Sequence, residues 1–191
     1  METLRSFIAV PLSEEVKAAV GALQRELQTL PGDVRWTPPR NFHLTLKFLG
    51  PVPRPRLEEV QEVCAQEAAK VAPFRLELKG LGVFPHFRRP RVIWVGVEAG
   101  REELALLATA LERELAQRGF AAEKRPYHPH LTLGRFRSSR QQQPLIRALQ
   151  ERQEVALGAD EVRVVHLMQS ILQPSGAEYH LLAEFALGSL G

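Results

Sequence analysis

The sequence predicts an α/β or α+β protein of two similar lobes, forming a single domain over residues 1–191. Three observations support this prediction. Segments with the alternation typical of strands are interspersed with segments of helical periodicity. The same order of elements occurs twice, which indicates duplicated halves at approximately residues 1–80 and 91–170, with a hairpin at the end of the chain. The word HLTL also occurs once in each half.

The first half begins with a short apolar run closed by Pro11, as in a buried strand. Ser13 and the two glutamates after it begin an amphipathic helix, and Pro31 and Gly32 end its pattern. Alternating polar and apolar residues then mark a half-buried strand that contains the first HLTL word. The predicted elements are, in chain order, a strand at 6–12, a helix at 14–30, a strand at 42–50, a helix at 54–72 and a strand at 74–80.

The second half repeats this order, and its histidine lies at a similar distance from the first strand. Gly119 ends the longer of its two helices. Two further strands around the turn QPSGA form a hairpin at the end of the chain. The predicted elements are a strand at 91–99, a helix at 101–119, a strand at 127–136, a helix at 142–153 and hairpin strands at 162–172 and 178–187.

Composition narrows the class of protein. With 45% hydrophobic and 25% charged residues the chain is expected to be globular, and a net charge of +3 suits an anionic partner without identifying it. Cys64 is the only cysteine, so neither a disulfide framework nor a cysteine-based metal site is expected. The chain lacks an apolar run long enough for a membrane span, and its first residues do not resemble a signal peptide. A cytoplasmic protein is therefore expected.

The two HLTL motifs, which begin at His43 and His130, contain the candidate catalytic residues. Successive side chains of a strand point to opposite faces, so His43 and Thr45 share one face while the two leucines point into apolar packing. His130 and Thr132 follow the same rule. If the two halves are related by pseudo-symmetry, the polar faces of the two motif strands face each other across a cleft. Both imidazoles are then close to one point.

Two histidines at one point suit paired proton transfer. Imidazole has an unperturbed pKa of about 6.5, so near neutral pH one ring can accept a proton while the other donates one. This pair fits an in-line displacement at a phosphodiester, in which a nucleophile is deprotonated and a leaving oxygen is protonated. The hydroxyls of Thr45 and Thr132, together with the charge of Arg135, would hold the non-bridging oxygens. No metal is required.

Two alternatives stay open at this stage. A histidine beside leucines in a strand is more often structural, and duplication would copy such a residue. Against this, the leucines already supply an apolar face and leave histidine and threonine on the other. A metal site is the second alternative, but the segments FHLTLKFLG and YHPHLTLGRF contain no Asp or Glu.

The paired H-x-T-x motifs resemble the 2H phosphoesterase superfamily, and the surrounding residues resemble its bacterial and archaeal RNA 2',3'-cyclic phosphodiesterase branch, long called 2'-5' RNA ligase. The resemblance extends over nearly the whole chain. The segments that carry it are FIAVPL, VRWTPPRNFHLTLKFLG, VFPHFRRPRVIWVGV, RPYHPHLTLGRF and QSILQPSGAEYHLLAEFAL. One departure is Arg40, where the family commonly has an acidic residue before the asparagine.

The resemblance implies a role for each motif residue. His43 would donate a proton to the leaving ribose oxygen and His130 would activate water, so that a terminal 2',3'-cyclic phosphate opens to a 2'-phosphate. Thr45, Thr132 and Arg135 would bind phosphate oxygens. Ligation through a 2'-5' linkage would be the reverse reaction at the same site. A non-catalytic RNA or nucleotide binding module that uses the same cleft is the alternative function.

The resemblance also implies an α+β fold of two pseudo-symmetric lobes, whose antiparallel sheets surround a central cleft. No cofactor and no metal are implied. The expected partner is RNA with a 2',3'-cyclic phosphate end or a small cyclic nucleotide, and the protein is expected to be a monomer that does not bind membranes.

Several other residues are weaker candidates. Cations near the motifs that could follow an RNA backbone are Arg35, Arg40, Lys47, Arg88, Arg89, Arg91, Lys124, Arg125 and Arg137. Aromatic residues that could stack on bases are Trp36, Phe84 and Tyr127. His128 could tune His130, and Ser170 and Tyr179 are possible cleft residues. A solvated or packing role is the alternative for each of them.

Overall fold

A computed structural model describes residues 1–188 and contains strands and helices in alternation. The strands are β1 (Thr3–Pro11), β2 (Val34–Trp36), β3 (His43–Pro53), β4 (Phe74–Phe84), β5 (Val92–Val97), β6 (His130–Phe136), β7 (Ala156–Val162), β8 (Val164–Gln173) and β9 (Gly176–Ala186). The helices are α1 (Glu14–Gln28), α2 (Leu57–Ala68), α3 (Arg101–Gln117) and α4 (Gln143–Glu151).

The strands form two antiparallel sheets, and this confirms the predicted α+β class. The first sheet has the order β3-β1-β8-β9, and the second has the order β2-β6-β5-β4-β7. Each sheet therefore takes strands from both the early and the late part of the chain. The C-terminal hairpin β8–β9 extends the first sheet, whereas β2 and β4 belong to the second. The duplication of the two halves stays a prediction.

The predicted helices and strands are confirmed, with shifts at their ends. The strand predicted at 74–80 continues to Phe84, and the strand predicted from residue 127 begins at His130, directly after Pro129. Strands β2 and β7 were not predicted. The first is only three residues long, and the second is rich in exposed and acidic residues, so neither shows the alternation of a half-buried strand.

The four helices pack against the two sheets. Helices α2 and α3 pack together, and they contact strands of the first sheet, while α1 contacts β7 and α4 contacts β4 of the second. Ser13 caps α1, because its hydroxyl accepts a hydrogen bond from the Val16 N–H at 3.1 Å. Within residues 1–188, no helix is both long and apolar enough to cross a membrane.

A buried glutamine joins α1 to the second motif. The Gln24 side chain donates hydrogen bonds to the carbonyl oxygens of Thr37, at 2.7 Å, and of Leu133, at 3.0 Å. The Thr37 N–H also donates to Leu133 at 2.8 Å. These bonds satisfy the polar groups of the buried glutamine, and they fix the middle of β6 against the segment that leads into β3.

Lys47 forms a second buried polar contact. This contact differs from the RNA-binding role that the sequence suggested for the residue. Its side chain is 3% exposed, and its ammonium donates to Glu112 Oε2 at 2.6 Å and to the Ala121 carbonyl at 3.0 Å. The other oxygen of Glu112 accepts a bond from the Glu123 N–H at 2.7 Å. The proposal that Lys47 follows an RNA backbone is therefore wrong. The residue instead fixes α3 and the segment after it to β3.

We expect Lys47→Ala to lower the free energy of unfolding by about 3 kcal/mol, because it leaves Glu112 without its partner in a largely dry contact. Chemical denaturation measures this change. Arg54→Ala is the matched control, since its ion pair with Glu2 is exposed and such pairs contribute about 1 kcal/mol or less. Equal effects of the two substitutions would contradict the structural role of Lys47.

Candidate active site

The two motif strands come from different sheets and contact each other. Each begins with its motif histidine, His43 in β3 and His130 in β6. The four motif leucines are buried, at 5% exposure or less, while the histidines and threonines are half-buried. The alternation of strand side chains thus places the polar residues of both motifs on the faces opposite their leucines, as the sequence predicts.

His43 is held on both ring nitrogens. Its Nδ1 lies 2.7 Å from the Asn41 carbonyl oxygen, which can only accept, so Nδ1 carries a proton. In the neutral ring Nε2 is then the acceptor, and it lies 2.8 Å from the Thr45 hydroxyl. Two aromatic rings contact the imidazole: Phe7 at 4.8 Å and Tyr179 edge-on at 5.3 Å between centroids.

His130 is held in the same way through Nδ1. Its Nδ1 donates to the His128 carbonyl at 2.6 Å, again two residues before the histidine. The Phe84 ring lies perpendicular to the imidazole, with 5.0 Å between the centroids. Both motif histidines therefore carry the Nδ1 proton and leave Nε2 unprotonated in the neutral ring. A backbone acceptor two residues upstream sets this tautomer in each motif.

The site disfavours charged imidazole. Burial lowers the pKa of His43 from 6.5 to about 4, the hydrogen bond to Asn41 opposes this shift, and the charges of Lys17 and His130 add to it. Burial also lowers the pKa of His130, its bond to the His128 carbonyl opposes the shift, and the charges of Arg135 and His128 lower it further. The strands that begin with the two histidines contact each other, which agrees with the effect of the His130 charge on His43.

The other predicted site residues lie on the same two strands as this pair. Thr45 contacts His43 directly. Thr132 lies opposite Trp94 in the register of β5 and β6, and Arg135 lies opposite Val92 on one side and Arg35 on the other. The Arg135 side chain is exposed, and its charge reaches His130 and Tyr179.

A pocket of about 370 Å³ opens beside His43. Phe7, Met168 and Tyr179 give it apolar walls, and Lys17 and Arg40 add positive charge. The prediction that Tyr179 is a cleft residue is confirmed by this position. Sequence analysis missed Phe7 and Lys17, although the strand alternation of FIAVPL places Phe7 on the same face as Ala9, which pairs with Thr45.

Tyr127 has a different role from the predicted base stacking. Its hydroxyl donates a hydrogen bond to the Thr45 carbonyl at 2.9 Å, and burial raises the pKa of the phenol. A residue shortly before the second motif is therefore bonded to the first motif. With Lys47, this contact fixes the segment that leads into His130 against β3.

Two further histidines and the remaining candidate residues lie in two places. His166 lines the pocket beside His43 and bonds Glu184, while His180 bonds Glu178. Ser170 pairs with Tyr179 in the hairpin. A second, larger cavity lies on the His130 side, and five of the predicted backbone-binding cations line it: Arg88, Arg89, Arg91, Arg125 and Arg137.

Comparison with known proteins identifies relatives of the chain. A family model for the 2'-5' RNA ligase superfamily matches residues 11–169. An RNA 2',3'-cyclic phosphodiesterase from Aeropyrum pernix is 42% identical over 151 residues, which cover 79% of this chain and 85% of the relative. A protein of the same description from Methanothermobacter thermautotrophicus is 36% identical over 184 residues, which cover 96% of this chain and 99% of the relative.

Solved structures give the same result. The chain is similar to the Thermus thermophilus protein TT0787, with a TM-score of 0.83, 31% identity and coverage of 98% of this chain and 100% of the other. It is also similar to E. coli LigT complexed with 3'-AMP, with a TM-score of 0.77, 25% identity and coverage of 98% and 100%.

The geometry predicts how the two rings titrate. We expect His43 to stay neutral until the pH falls to about 4, and His130 to protonate below 6.5, because burial disfavours both cations. Long-range proton–nitrogen NMR spectra should show Nδ1–H tautomers for both neutral rings. His43→Gln and His130→Gln assign the signals, and a His43 ring that titrates at or above pH 6.5 would contradict the described burial.

Proposed function

The chain belongs to the 2'-5' RNA ligase superfamily, and we propose that it opens RNA 2',3'-cyclic phosphate ends to 2'-phosphomonoesters by proton transfer between His43 and His130 without a metal ion. One observation carries the mechanistic part. Two histidines at the starts of contacting strands from different sheets present the same tautomer, with the Nδ1 proton donated to a backbone carbonyl and Nε2 unprotonated. Paired Nε2 atoms are what general acid–base catalysis needs on the two sides of one phosphorus.

In the proposed reaction, a water oxygen attacks phosphorus while its proton passes to His130 Nε2. The bond between phosphorus and the ribose O3' breaks, and His43 Nε2–H delivers a proton to O3'. The product carries a phosphate on O2', and the two histidines have exchanged their protonation states. With a 5'-hydroxyl in place of water as the nucleophile, the same steps in the same direction form a 2'-5' linkage, and O3' is again the leaving oxygen.

We assign the acceptor role to His130 and the donor role to His43 by the family resemblance. Burial, together with the charges of Arg135 and His128, lowers the pKa of His130, so the resting ring is neutral and can accept a proton. His43 must be charged to act as the donor, although burial favours its neutral form. A bound phosphate anion supplies the missing counter-charge and raises the pKa of both rings. Substrate binding thus prepares the donor.

Thr45 links this protonation to phosphate binding. Its hydroxyl donates to Nε2 when His43 is neutral. Once Nε2 carries a proton, Thr45 Oγ1 becomes the acceptor, and its own O–H can turn toward a phosphate oxygen. Thr132 and the guanidinium of Arg135 are proposed to bind the other non-bridging oxygens as negative charge builds up.

The proposal includes a monomer in the cytoplasm. The only cysteine supports a reducing compartment, since Cys64 is buried and unpaired, and burial raises the pKa of its thiol to about 12. A binding module without turnover is the alternative function, and it predicts affinity for a cyclic-ended RNA with no change in that end.

We expect His43→Ala and His130→Ala each to lower the turnover of a cyclic-ended oligoribonucleotide by about a hundredfold to ten-thousandfold, since each removes one proton transfer. The assay separates 2'-phosphate from 3'-phosphate products in the presence of EDTA. His180→Ala, on the exposed hairpin, is the matched control. Thermal unfolding checks that each variant folds. Full turnover by either motif variant would remove that histidine from the mechanism, and a 3'-phosphate product would reject the proposed bond cleavage.

We also expect the pH profile of kcat/KM to be a bell with its maximum on the acid side of pH 6.5. This ratio reports the free enzyme, in which both histidines have pKa values below 6.5, one of them at about 4. The profile of kcat should lie at higher pH, because bound phosphate raises both values. Stopped assays from about pH 3.5 to about pH 9 measure both profiles. A kcat/KM bell with both limbs above about pH 7 would exclude these two groups in their described surroundings.

A further inference from the structure

A groove of about 1230 Å³ adjoins the candidate active site on the His130 side. One wall is the segment between β4 and β5, and the other is the end of β6 with the residues that follow it. Pockets that hold a single small ligand typically have volumes of roughly 300–1,000 Å³. The groove is therefore larger than a terminal nucleotide needs.

The groove is strongly cationic. Six arginines line it, and its lining contains no Asp or Glu: Arg88, Arg89, Arg91, Arg125, Arg135 and Arg137. Within residues 1–188, none of the six forms an ion pair, whereas exposed arginines such as Arg54, Arg75 and Arg163 each pair with a glutamate. Six guanidinium groups without counter-charges around one cavity favour a ligand that carries several negative charges.

Two residues connect the groove to the reaction centre. Arg135 lines the groove, and its charge lowers the pKa of His130. Phe84 also lines the groove, and its ring packs perpendicular to the His130 imidazole. A ligand in the groove is thus continuous with a phosphate bound between the two motifs. Phe84 and Phe136, both half-buried in the groove wall, offer faces on which bases can stack.

The backbone of both walls is held in place by hydrogen bonds. The Arg91 N–H donates to the Phe84 carbonyl at 2.7 Å, and the Phe136 N–H donates to the Arg91 carbonyl at 2.9 Å. Beyond β6, the Arg137 N–H donates to the Asp33 carbonyl at 2.8 Å, and the Ser138 hydroxyl bonds the Asp33 carboxylate. The arginines project from ordered backbone, which lowers the entropic cost of binding an extended ligand.

We propose that this arginine groove binds the backbone phosphates upstream of the terminal cyclic phosphate of a single-stranded RNA. The inference rests on the proposed function and deepens it, because it makes an oligoribonucleotide the preferred substrate over a cyclic mononucleotide. A 2',3'-cyclic end has its remaining phosphates on the 5' side of the terminal ribose. Those phosphates can supply the counter-charges that the six arginines do not have within the protein. A mononucleotide that carries only the cyclic phosphate leaves the groove empty.

The experiment compares two substrates, a hexauridylate ending in a 2',3'-cyclic phosphate and 2',3'-cyclic UMP. For the unchanged protein, KM should be lower for the hexamer than for the mononucleotide. The value of kcat/KM should fall steeply with salt for the hexamer only, and the slope of its logarithm against the logarithm of salt concentration should steepen by about 0.7 for each phosphate contact. Arg88→Ala with Arg89→Ala should lower kcat/KM for the hexamer by about tenfold and reduce its salt slope, while the mononucleotide changes by less than about twofold. Arg135 is left intact because it acts on His130.

Arg75→Ala with Arg163→Ala is the charge-matched control. Both arginines are exposed, and Arg75 lies at the opposite end of β4 from Phe84. This variant lowers the net charge equally but should keep the preference for the hexamer. A loss of preference in the control would assign the effect to overall charge, and an equal loss on both substrates by the groove variant would assign it to the reaction centre. Either result would overturn the proposal.

Two further measurements separate the possible failures. If neither substrate is turned over, the proposed function fails. Fluorescence anisotropy with a labelled hexauridylate ending in a 2'-phosphate then still tests whether the groove binds RNA. Affinity weakened only by the groove variant supports RNA binding, and affinity unchanged by it overturns the inference. Inorganic tripolyphosphate added as a competitor should inhibit hexamer turnover only weakly. Strong inhibition that the groove variant removes would assign the groove to free polyphosphate instead of RNA.

Discussion

The alternation of side chains along β3 and β6 is the constraint on which the rest of the structure depends. Their leucines are almost fully buried, so a shift of either strand by one residue would expose two leucines and bury the motif histidine and threonine. Burial in the core therefore determines where the polar residues face. The same two strands contact each other across the boundary between the sheets, and the hydrophobic core thereby sets the separation of His43 and His130.

Burial also sets the chemical state of the two rings. Each ring donates its Nδ1 proton to a carbonyl two residues upstream, which fixes the orientation without adding a charge. A carboxylate in that position would favour imidazolium, whereas a carbonyl has a weaker effect and desolvation keeps the resting rings neutral. In the proposed mechanism an anionic substrate provides the compensating charge, so that discrimination for phosphate and preparation of the proton donor would have one physical cause.

Local pattern was sufficient to predict most of the fold and the core of the candidate site. Helical periodicity and strand alternation located the main elements, and the repeated HLTL word selected His43 and His130. The pairing of β8 with β1 was not predictable, because it depends on contacts between distant parts of the chain. The same limit applies to Lys47, whose partners Glu112 and Ala121 are brought to it only by folding. Tyr127 resembled a base-stacking residue in the sequence, and its bond to Thr45 is also a long-range contact.

The position of the C-terminal hairpin has a consequence for biosynthesis. Strand β1 leaves the ribosome well before its neighbour β8, which follows only after β2 to β7 have been made. Tyr179, which completes the aromatic surroundings of His43, arrives later still, on β9. A nascent chain that lacks this strand has the complete second motif but an unfinished wall around the first. Maturation of the His43 pocket is therefore a late event in synthesis, and a product terminated before β9 lacks it.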